Sequence, residues 1–338
     1  MKKKTNFSKK EIDLAGVEFK NKEVSSQSLK VVDDFRASHI HAMYVFRMNL
    51  SKKLQKCDFK DFLLSQRLKR SSSIKLKLSL QKTMNLSQMQ DIAGLRVVLD
   101  NKKDVYCLRE TIRKGDQEVA FKSEFKSEKD YIATPKDTGY RSLHLVYKYG
   151  KKLDKNEQFF VEIQIRTKIQ HAWATAVEVL GTFLRQPLKQ NKGEDRYLEL
   201  LKDISKCFIM IEDNISDKEI FKQTSYKIEN LQILDRLRGF SKVTELIDKN
   251  NDSKSKYYLI VLDFNKKTLS VKGFIESKFD NANEAYVAKE KEHINDVSYE
   301  VVLVSVDNIN LLKKTYPNYF LDTGEFIKYI EQIKTLSN

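Results

Sequence analysis

Residues 160–167 read Phe160-Val161-Glu162-Ile163-Gln164-Ile165-Arg166-Thr167, and polar and apolar side chains alternate along them. Successive side chains of a β-strand point to opposite faces, so Glu162, Gln164 and Arg166 share one face and the aliphatic residues share the other. A half-exposed edge strand has this pattern. A magnesium–phosphate site has it as well, because carboxylate oxygens hold Mg²⁺ and guanidinium groups bind phosphate. Under either alternative, the apolar face of the strand is expected to pack in the hydrophobic core beneath the sheet.

Short β-type runs also occupy residues 93–99 and 143–147, and segments with helical spacing of apolar residues separate the strands. The spacing predicts helices over residues 25–56, 102–114, 167–184, 194–214 and 225–249. The chain is therefore expected to be an α+β protein with a mixed β-sheet flanked by helices.

A second unit is predicted after the polar break at residues 250–253. Its expected elements are a hairpin (257–264 with 268–274), a helix (283–293), a strand (299–306), a short helix (307–317) and a last helix capped by Asp322 and Thr323. The expected organisation is a basic N-terminal segment (1–24), a core domain (25–186), a helical connector (187–252) and a small C-terminal α+β module (253–338).

The composition restricts the partners and the compartment. A net charge of +15 over 338 residues favours a polyanion such as nucleotide phosphates, RNA or an anionic membrane surface. No apolar run approaches the roughly 20 residues that a membrane span needs, so no membrane insertion is expected. The three cysteines are widely spaced and form no Cys-x-x-Cys pair, which argues against a disulfide framework or a zinc ribbon and fits a reducing cytoplasm.

Two further stretches contain charged groups that suit nucleotide chemistry. Asp91 precedes the run 92–99, so its carboxylate is expected at a strand end, where it would complete a magnesium site with Glu162. An aspartate ahead of a strand is also ordinary turn chemistry. Residues 67–77 concentrate five cations within eleven residues, which suits phosphate and equally suits a solvated helix face.

The loop at residues 130–144 contains proline and glycine and runs into a predicted strand. Tyr140 and His144 have the same parity there, so a ring that stacks on a base would lie near groups that bind phosphate, among them Lys136 and Arg141. A surface loop with a packed tyrosine and a core histidine explains the same residues.

The helix predicted at residues 167–184 has a polar face made of His171, Thr175 and Glu178. This face either borders the site or makes only local hydrogen bonds. Trp173 lies opposite and is expected in the core.

In their order and spacing, the stretches around Arg67, Asp91, Tyr140 and Glu162 resemble the synthetase domain of the RelA/SpoT family, the alarmone synthetases. The resemblance covers residues 25–185. Arg67-x-Lys69 with Ser73-Ile74 and Lys77 is similar to the family's ATP-phosphate motif, and Asp91-Ile-Ala-Gly-Leu-Arg96 is similar to its metal-binding strand. Residues 131–144 look like the loop that stacks the acceptor guanine on a tyrosine, and residues 162–167 look like the strand with the second catalytic carboxylate. Thr138 stands where long members of the family often have Asn, and Ser127 stands at a position that is basic in the family pattern.

This resemblance implies a nucleotidyltransferase-like core in which a ribose 3′-hydroxyl attacks the β-phosphorus of ATP and AMP leaves. It assigns Asp91 and Glu162 to Mg²⁺, Glu162 also to the role of base, and Gln164 and Arg166 to the orientation of Glu162. It assigns ATP binding to Arg67, Lys69, Ser73, Lys77 and Arg96. It assigns acceptor binding to Lys129, Lys136, Tyr140, Arg141 and His144.

Two acceptors are compatible with these residues. The resemblance implies GDP or GTP, with (p)ppGpp-type alarmones as products. Alternatively, the acceptor is the 3′ end of tRNA, as in toxic small members of the family, and residues 253–338 act as an antitoxin or phage sensor; the positive charge and Thr138 motivate this version. A degenerate RNA-binding protein is a third hypothesis, which the presence of Asp91 and Glu162 opposes.

The remaining expectations concern regulation and assembly. No His-Asp dyad of the family's hydrolase domain precedes the synthetase motifs, so breakdown of the product is not expected. A cytoplasmic location, a homo-oligomer and a protein regulator that acts through residues 253–338 complete the hypothesis.

Overall fold

The computed structural model describes residues 4–21, 23–114, 123–150, 158–184, 186–234, 237, 245–249, 255–263, 266, 268–293, 299–305 and 323–337. In chain order its helices and strands are α1 (Lys9–Glu18), α2 (Ser26–Lys56), β1 (Phe62–Leu68), α3 (Ser71–Leu80), β2 (Ala93–Leu99), α4 (Lys102–Lys114), β3 (Ser123–Asp130), β4 (Leu143–Tyr149), β5 (Phe159–Thr167), α5 (Lys168–Phe183), α6 (Asp195–Asp213), α7 (Lys218–Asn230), β6 (Glu245–Lys249), β7 (Ser255–Asp263), β8 (Thr268–Ile275), α8 (Phe279–Glu292), β9 (Tyr299–Ser305) and α9 (Gly324–Ser337).

The alternating segment forms β5, an interior strand of the sheet. β5 pairs in parallel with β2 and antiparallel with β4, so it has a neighbour on each side. Val161, Ile163 and Ile165 are buried, whereas Glu162 and Gln164 are partly exposed. The edge-strand alternative is therefore wrong, and the polar face of an interior strand needs a functional or structural partner.

The described strands form one mixed sheet in the order β3-β4-β5-β2-β1-β9-β7-β8-β6. The pairs β2/β5 and β6/β8 are parallel, and the other pairs are antiparallel. Helices α2 and α4 cover the apolar face of β5, where Phe46, Leu50 and Leu108 share a core with Ile163. The predicted α+β architecture is confirmed.

Helix boundaries near the N-terminus follow local capping chemistry. α2 begins directly after Ser25, whose hydroxyl accepts a hydrogen bond from the Ser28 N–H at 3.1 Å, so the prediction for residues 25–56 is confirmed. The segment 1–24 was expected only as a basic extension, but it contains α1. Ser8 and Glu11 form a capping box at its start, and Ile12 packs in the core that α1 shares with α2.

The C-terminal strands share a core with the helices that precede them. Residues of α5, α6, β7 and α9 pack in one apolar cluster, which includes Trp173, Phe208, Ile260 and Phe326. Strand β9 also pairs with β1 at Gln66 and Arg67. The predicted module is thus joined to the rest by strand pairing and by packing, and its predicted boundary at 252–253 lies outside the described residues.

The predictions for the C-terminal third have mixed outcomes. The hairpin, α8, β9 and the last helix are confirmed. The helix predicted over residues 225–249 is wrong: Asp217 caps α7 at an earlier start, Gln232 adopts a φ of 50° just after its end, and residues 245–249 form β6. The helix predicted at 307–317 lies outside the described residues. Among the described helices, none combines the length and apolarity that crossing a membrane requires.

Candidate active site

A cavity of about 540 Å³ lies beside the polar face of β5. Its wall combines the end of β1, the start of β2, the loop after β3 and one face of α5. The predicted residues that line it are Arg67, Lys69, Lys77, Asp91, Arg96, Lys129, Lys136, Tyr140, His144, Glu162, Gln164 and Arg166. Stretches that are distant in sequence therefore meet in one place.

The carboxylate of Asp91 lies between two lysine side chains. Lys69 Nζ is 2.9 Å from Asp91 Oδ2, and Lys77 Nζ is 2.9 Å from Asp91 Oδ1. Lys69 directly follows β1, and its N–H donates to the Ile92 carbonyl at 2.8 Å. Burial would raise the pKa of Asp91, but the two ammonium groups lower it to about 2. The bonds of this carboxylate are thus ion pairs with the predicted phosphate-binding lysines rather than turn contacts.

Glu162 is held by hydrogen bonds within the sheet. β4 places His144 opposite Gln164, and His144 Nδ1 lies 3.1 Å from Glu162 Oε1. Gln164 Nε2 donates to Glu162 Oε2 at 2.7 Å. Burial would raise the pKa of Glu162, but the hydrogen bond and charge of His144 lower it, while the nearby Asp91 charge acts in the opposite direction. Asp91 and Glu162 therefore line the same cavity, and the charge of Asp91 acts on the pKa of Glu162.

The loop after β3 contributes an aromatic cluster. Tyr140 Oη lies 2.9 Å from His144 Nε2, which confirms that the two side chains share a face. The Tyr131 ring lies edge-on to His144 at 5.3 Å, and Lys136 Nζ lies 4.4 Å from the centre of the Tyr131 ring. Burial would raise the pKa of Tyr140, but the charges of His144 and Arg166 lower it to about 8. The cluster presents rings and cations together, as base and phosphate binding require.

Gly139 fixes the path of this loop. Its φ is +86°, and a Cβ atom there would lie 2.9 Å from Ser205 Cβ and 3.2 Å from the Trp173 ring. Ser205 Oγ donates to the Gly139 carbonyl at 2.6 Å, which attaches the loop to α6. Trp173 is 4% exposed, as expected for a core residue, and its ring also forms part of the cavity wall.

Two arginines in the wall have unsatisfied donors. Within the described residues, the buried Nε atoms of Arg96 and Arg166 have no hydrogen-bond partner. Burial and the neighbouring Arg96 charge lower the pKa of Arg166 to about 9. A buried donor without a partner is unfavourable, so oxygen atoms of an anionic ligand would satisfy both groups.

Glu178, on the polar face of α5 that was expected either to border the site or to make only local hydrogen bonds, lies in the cavity wall. Its carboxylate forms an ion pair with Lys189, which follows α5 and was not predicted as a site residue. Burial would raise the pKa of Glu178, but Lys189 and Arg67 lower it. His171 and Thr175 do not line the cavity; His171 Nδ1 contacts a guanidinium nitrogen of Arg166 instead. The spacing of the polar face therefore left both alternatives open, and only Glu178 of the three residues lines the cavity.

Two residues assigned to ligands by resemblance lie outside the wall. Arg141 is 3% exposed and forms an ion pair with Glu212 of α6, which also accepts a hydrogen bond from Thr167. Its guanidinium thus attaches the loop to α6 instead of facing the cavity. Ser73 lies in α3 but is not part of the wall. The sequence pattern did not distinguish inward from outward positions here.

The carboxylates of Asp91 and Glu162 in the cavity wall fit magnesium. Among the described residues no group of three or more His, Cys, Asp or Glu side chains is arranged to hold a metal. Asp91 and Glu162 supply hard carboxylate oxygens, and Mg²⁺ commonly takes only one or two protein carboxylates and completes its shell with water and substrate phosphates.

Residues 66–179 match the sequence profile described as the region found in RelA/SpoT proteins. The chain is 39% identical over 92 residues to the GTP pyrophosphokinase YjbM of Bacillus subtilis, covering 27% of this chain and 41% of that protein. It is 36% identical over 125 residues to the probable chloroplastic GTP diphosphokinase RSH3 of Arabidopsis thaliana, covering 37% of this chain and 16% of that protein. The chain thus spans less than half the length of these curated relatives.

Among solved structures, the chain is similar to small alarmone synthetase 2 from Bacillus subtilis, with a TM-score of 0.44 and 25% identity over 53% of this chain and 92% of that one. It is also similar to small alarmone synthetase 1 from the same organism, solved bound to its product pppGpp, with a TM-score of 0.43 and 24% identity over 52% and 90% of the two chains. The profile match confirms the resemblance seen in the motifs: the chain contains a RelA/SpoT-type region.

Proposed function

We propose that this protein is an ATP-dependent pyrophosphotransferase that moves the β,γ-pyrophosphate of ATP to the 3′-hydroxyl of GDP or GTP. The observation that supports this best is that Asp91 and Glu162 line one cavity, whose wall contains, among the described residues, eight lysine and arginine residues against three carboxylates. Two nucleotides with their phosphates need such an excess of cations, and a divalent metal needs the carboxylates. The RelA/SpoT-type region covers both carboxylates.

The donor side consists of the cations on β1, α3 and β2. Lys69 and Lys77 are held by Asp91, and both side chains are partly exposed, so they are able to turn to ATP phosphates without breaking backbone structure. Arg67 and Arg96 line the same side of the sheet, on paired strands β1 and β2. Planar guanidinium groups bind phosphate oxygens in pairs, which orients the polyphosphate.

The acceptor side consists of the aromatic cluster. Tyr140 supplies a ring for the base, and Lys136 and Lys129 supply charges for the 5′-phosphates. The hydrogen bond of Tyr140 to His144 fixes the ring relative to Glu162. The acceptor ribose would accordingly lie near the carboxylate that removes its proton.

In the reaction, the acceptor O3′ forms a bond to the β-phosphorus while the bond between that phosphorus and the oxygen of the α-phosphate breaks, and AMP leaves. Glu162 accepts the hydroxyl proton, and His144 and Gln164 keep its carboxylate oriented. Arg96 and Arg166 stabilise charge on the phosphoryl oxygens. Magnesium on Asp91 and Glu162 would neutralise further phosphate charge.

The direct test supplies purified protein with magnesium, ATP labelled at the β-phosphate, and GDP, GTP or bulk tRNA in separate reactions. Label in a pyrophosphorylated guanosine nucleotide, with equimolar AMP, is the expected result. Label in tRNA would favour the alternative acceptor that the net charge of +15 suggested. Release of label as free pyrophosphate only, or no turnover with any acceptor, would contradict the proposal.

A matched pair of variants ties the activity to the cavity. Glu162→Gln removes the predicted base, and Glu124→Gln changes an exposed glutamate on β3 that is not part of the cavity wall. Only the first variant is expected to lose transfer.

A further inference from the structure

The helix that carries Lys77 is capped by a residue from the distant C-terminal part of the chain. Glu290 on α8 accepts hydrogen bonds from the Ser71 N–H at 2.8 Å and from Ser71 Oγ at 3.0 Å. Ser71 is the first residue of α3, and the local N-cap residue, Arg70, makes no side-chain capping bond. An acidic group at this end of a helix satisfies free N–H groups and interacts favourably with the helix dipole. Here that group is supplied by tertiary structure.

A buried arginine connects Glu290 to the adjacent backbone. Arg36 on α2 is 2% exposed, and its three nitrogens all have partners. Its NH1 donates to Glu290 Oε2 at 3.0 Å, its NH2 donates to the Tyr286 hydroxyl at 2.6 Å, and its Nε donates to the Lys69 carbonyl at 3.1 Å. The Tyr286 hydroxyl donates to Glu290 Oε1 at 2.7 Å, which closes the network.

This network ends on the segment that contains the predicted donor cations. Arg36 bonds to the carbonyl of Lys69, whose side chain pairs with Asp91. Glu290 bonds to Ser71 at the start of α3, the helix that carries Lys77, and Lys77 pairs with Asp91 as well. Strand β9 reaches the same segment from another side, because it pairs with Gln66 and Arg67. Neither Tyr286 nor Glu290 lines the cavity, so this hydrogen-bond network supports the wall from outside and does not face the ligand space.

We infer that Glu290 and Tyr286 are positioning residues: through Arg36 and the start of α3 they hold Lys69 and Lys77 in the geometry that binds ATP. This rests on the proposed function. In this arrangement the C-terminal part of the chain supports the donor site and does not obstruct it. Loosening the network weakens ATP binding and leaves the acceptor side, in the loop after β3 and on β4, unchanged.

The test compares Glu290→Gln with Glu284→Gln, an exposed glutamate on the same helix that serves as the control. Calorimetry with a non-hydrolysable ATP analogue is expected to show about fivefold weaker binding for Glu290→Gln, the size of one lost helix cap, and no change for the control. In steady-state kinetics the KM for ATP should rise while the KM for the acceptor stays the same. Amide exchange should increase at residues 69–77 but not in β4.

Tyr286→Phe provides the second variant in case Glu290→Gln does not fold. It keeps the buried ring and removes only the hydroxyl that bridges Arg36 NH2 and Glu290 Oε1, while the direct Arg36–Glu290 bond remains, so a smaller loss of ATP affinity is expected. If both variants fold and bind the analogue as wild type does, the inference is wrong. If only Tyr286→Phe folds, wild-type binding by that variant also makes the inference wrong. If they bind it more tightly or turn over faster, the contact is inhibitory and the inference is overturned. A wild-type protein that binds no ATP analogue and makes no product would instead contradict the proposed function.

Discussion

Asp91 and Glu162, the two carboxylates proposed to bind magnesium, are held in different ways. Asp91 is paired with two long lysine side chains, which are 19% and 27% exposed and are anchored on different elements. Glu162 is bonded to His144 and Gln164, whose backbones are paired with each other in the sheet. Flexible cations are able to exchange a carboxylate for phosphate, whereas sheet residues hold their geometry. The lysines around Asp91 are therefore adaptable, whereas the carboxylate of Glu162, the proposed base, is held in place by the sheet.

The largest effect is expected for Glu162→Gln. The amide keeps the shape of the side chain but cannot accept a proton, so the transfer rate should fall by about 10³-fold at saturating nucleotides. Product formation measured by chromatography, with the melting temperature as a folding check, tests this. More than a tenth of the wild-type rate in a folded variant would remove Glu162 from the role of base.

Asp91→Asn is expected to have opposite effects on the transfer rate and on the affinity for metal-free ATP. Transfer should drop by about 10²-fold if Asp91 is the proposed metal ligand, because that ligand is then lost. In contrast, metal-free ATP should bind more tightly than in wild type, since Lys69 and Lys77 lose their carboxylate partner. Calorimetry in the presence of a chelator measures this affinity. Weaker metal-free binding would show that the lysines are not the phosphate ligands.

Tyr140 tests the acceptor side. Tyr140→Ala should raise the KM for the guanine nucleotide about tenfold, because stacking on a base is lost. Tyr140→Phe keeps the ring and removes the bond to His144, so it should retain acceptor affinity and lose some of the rate. Equal KM values for the two variants would mean that the ring does not contact the base.

The smallest effect is expected for Glu178→Gln. The pKa of Glu178 is lowered below its ordinary value of 4.5, so its ion pair with Lys189 stabilises the fold above that pH and is lost as the pH falls toward the lower folded-state value. The variant should have an unfolding free energy about 1 kcal/mol lower at pH 7, and the difference should shrink below pH 4.5. Urea unfolding at several pH values measures it. A difference that is independent of pH would contradict the electrostatic cause.

Much of the local structure is predictable because it depends on neighbours in sequence. Strict alternation at residues 160–167 predicts a strand with Glu162 and Gln164 on one face, and Ser25 marks the start of α2. The helix predicted over 225–249 failed because the actual start at Asp217 and the strand at 245–249 depend on capping and on pairing with β8. Local periodicity does not contain that pairing.

The candidate site follows the same division. The sequence by itself determined which side chains have the required chemistry, and the motifs around Asp91 and Glu162 identified the RelA/SpoT-type region. Tertiary structure decided that Arg141 faces Glu212 rather than the cavity, that Glu178 and Lys189 border it, and that Glu290 caps the helix of Lys77. These contacts join residues far apart in the chain, and their existence depends on how sheets and helices pack, which no local pattern encodes.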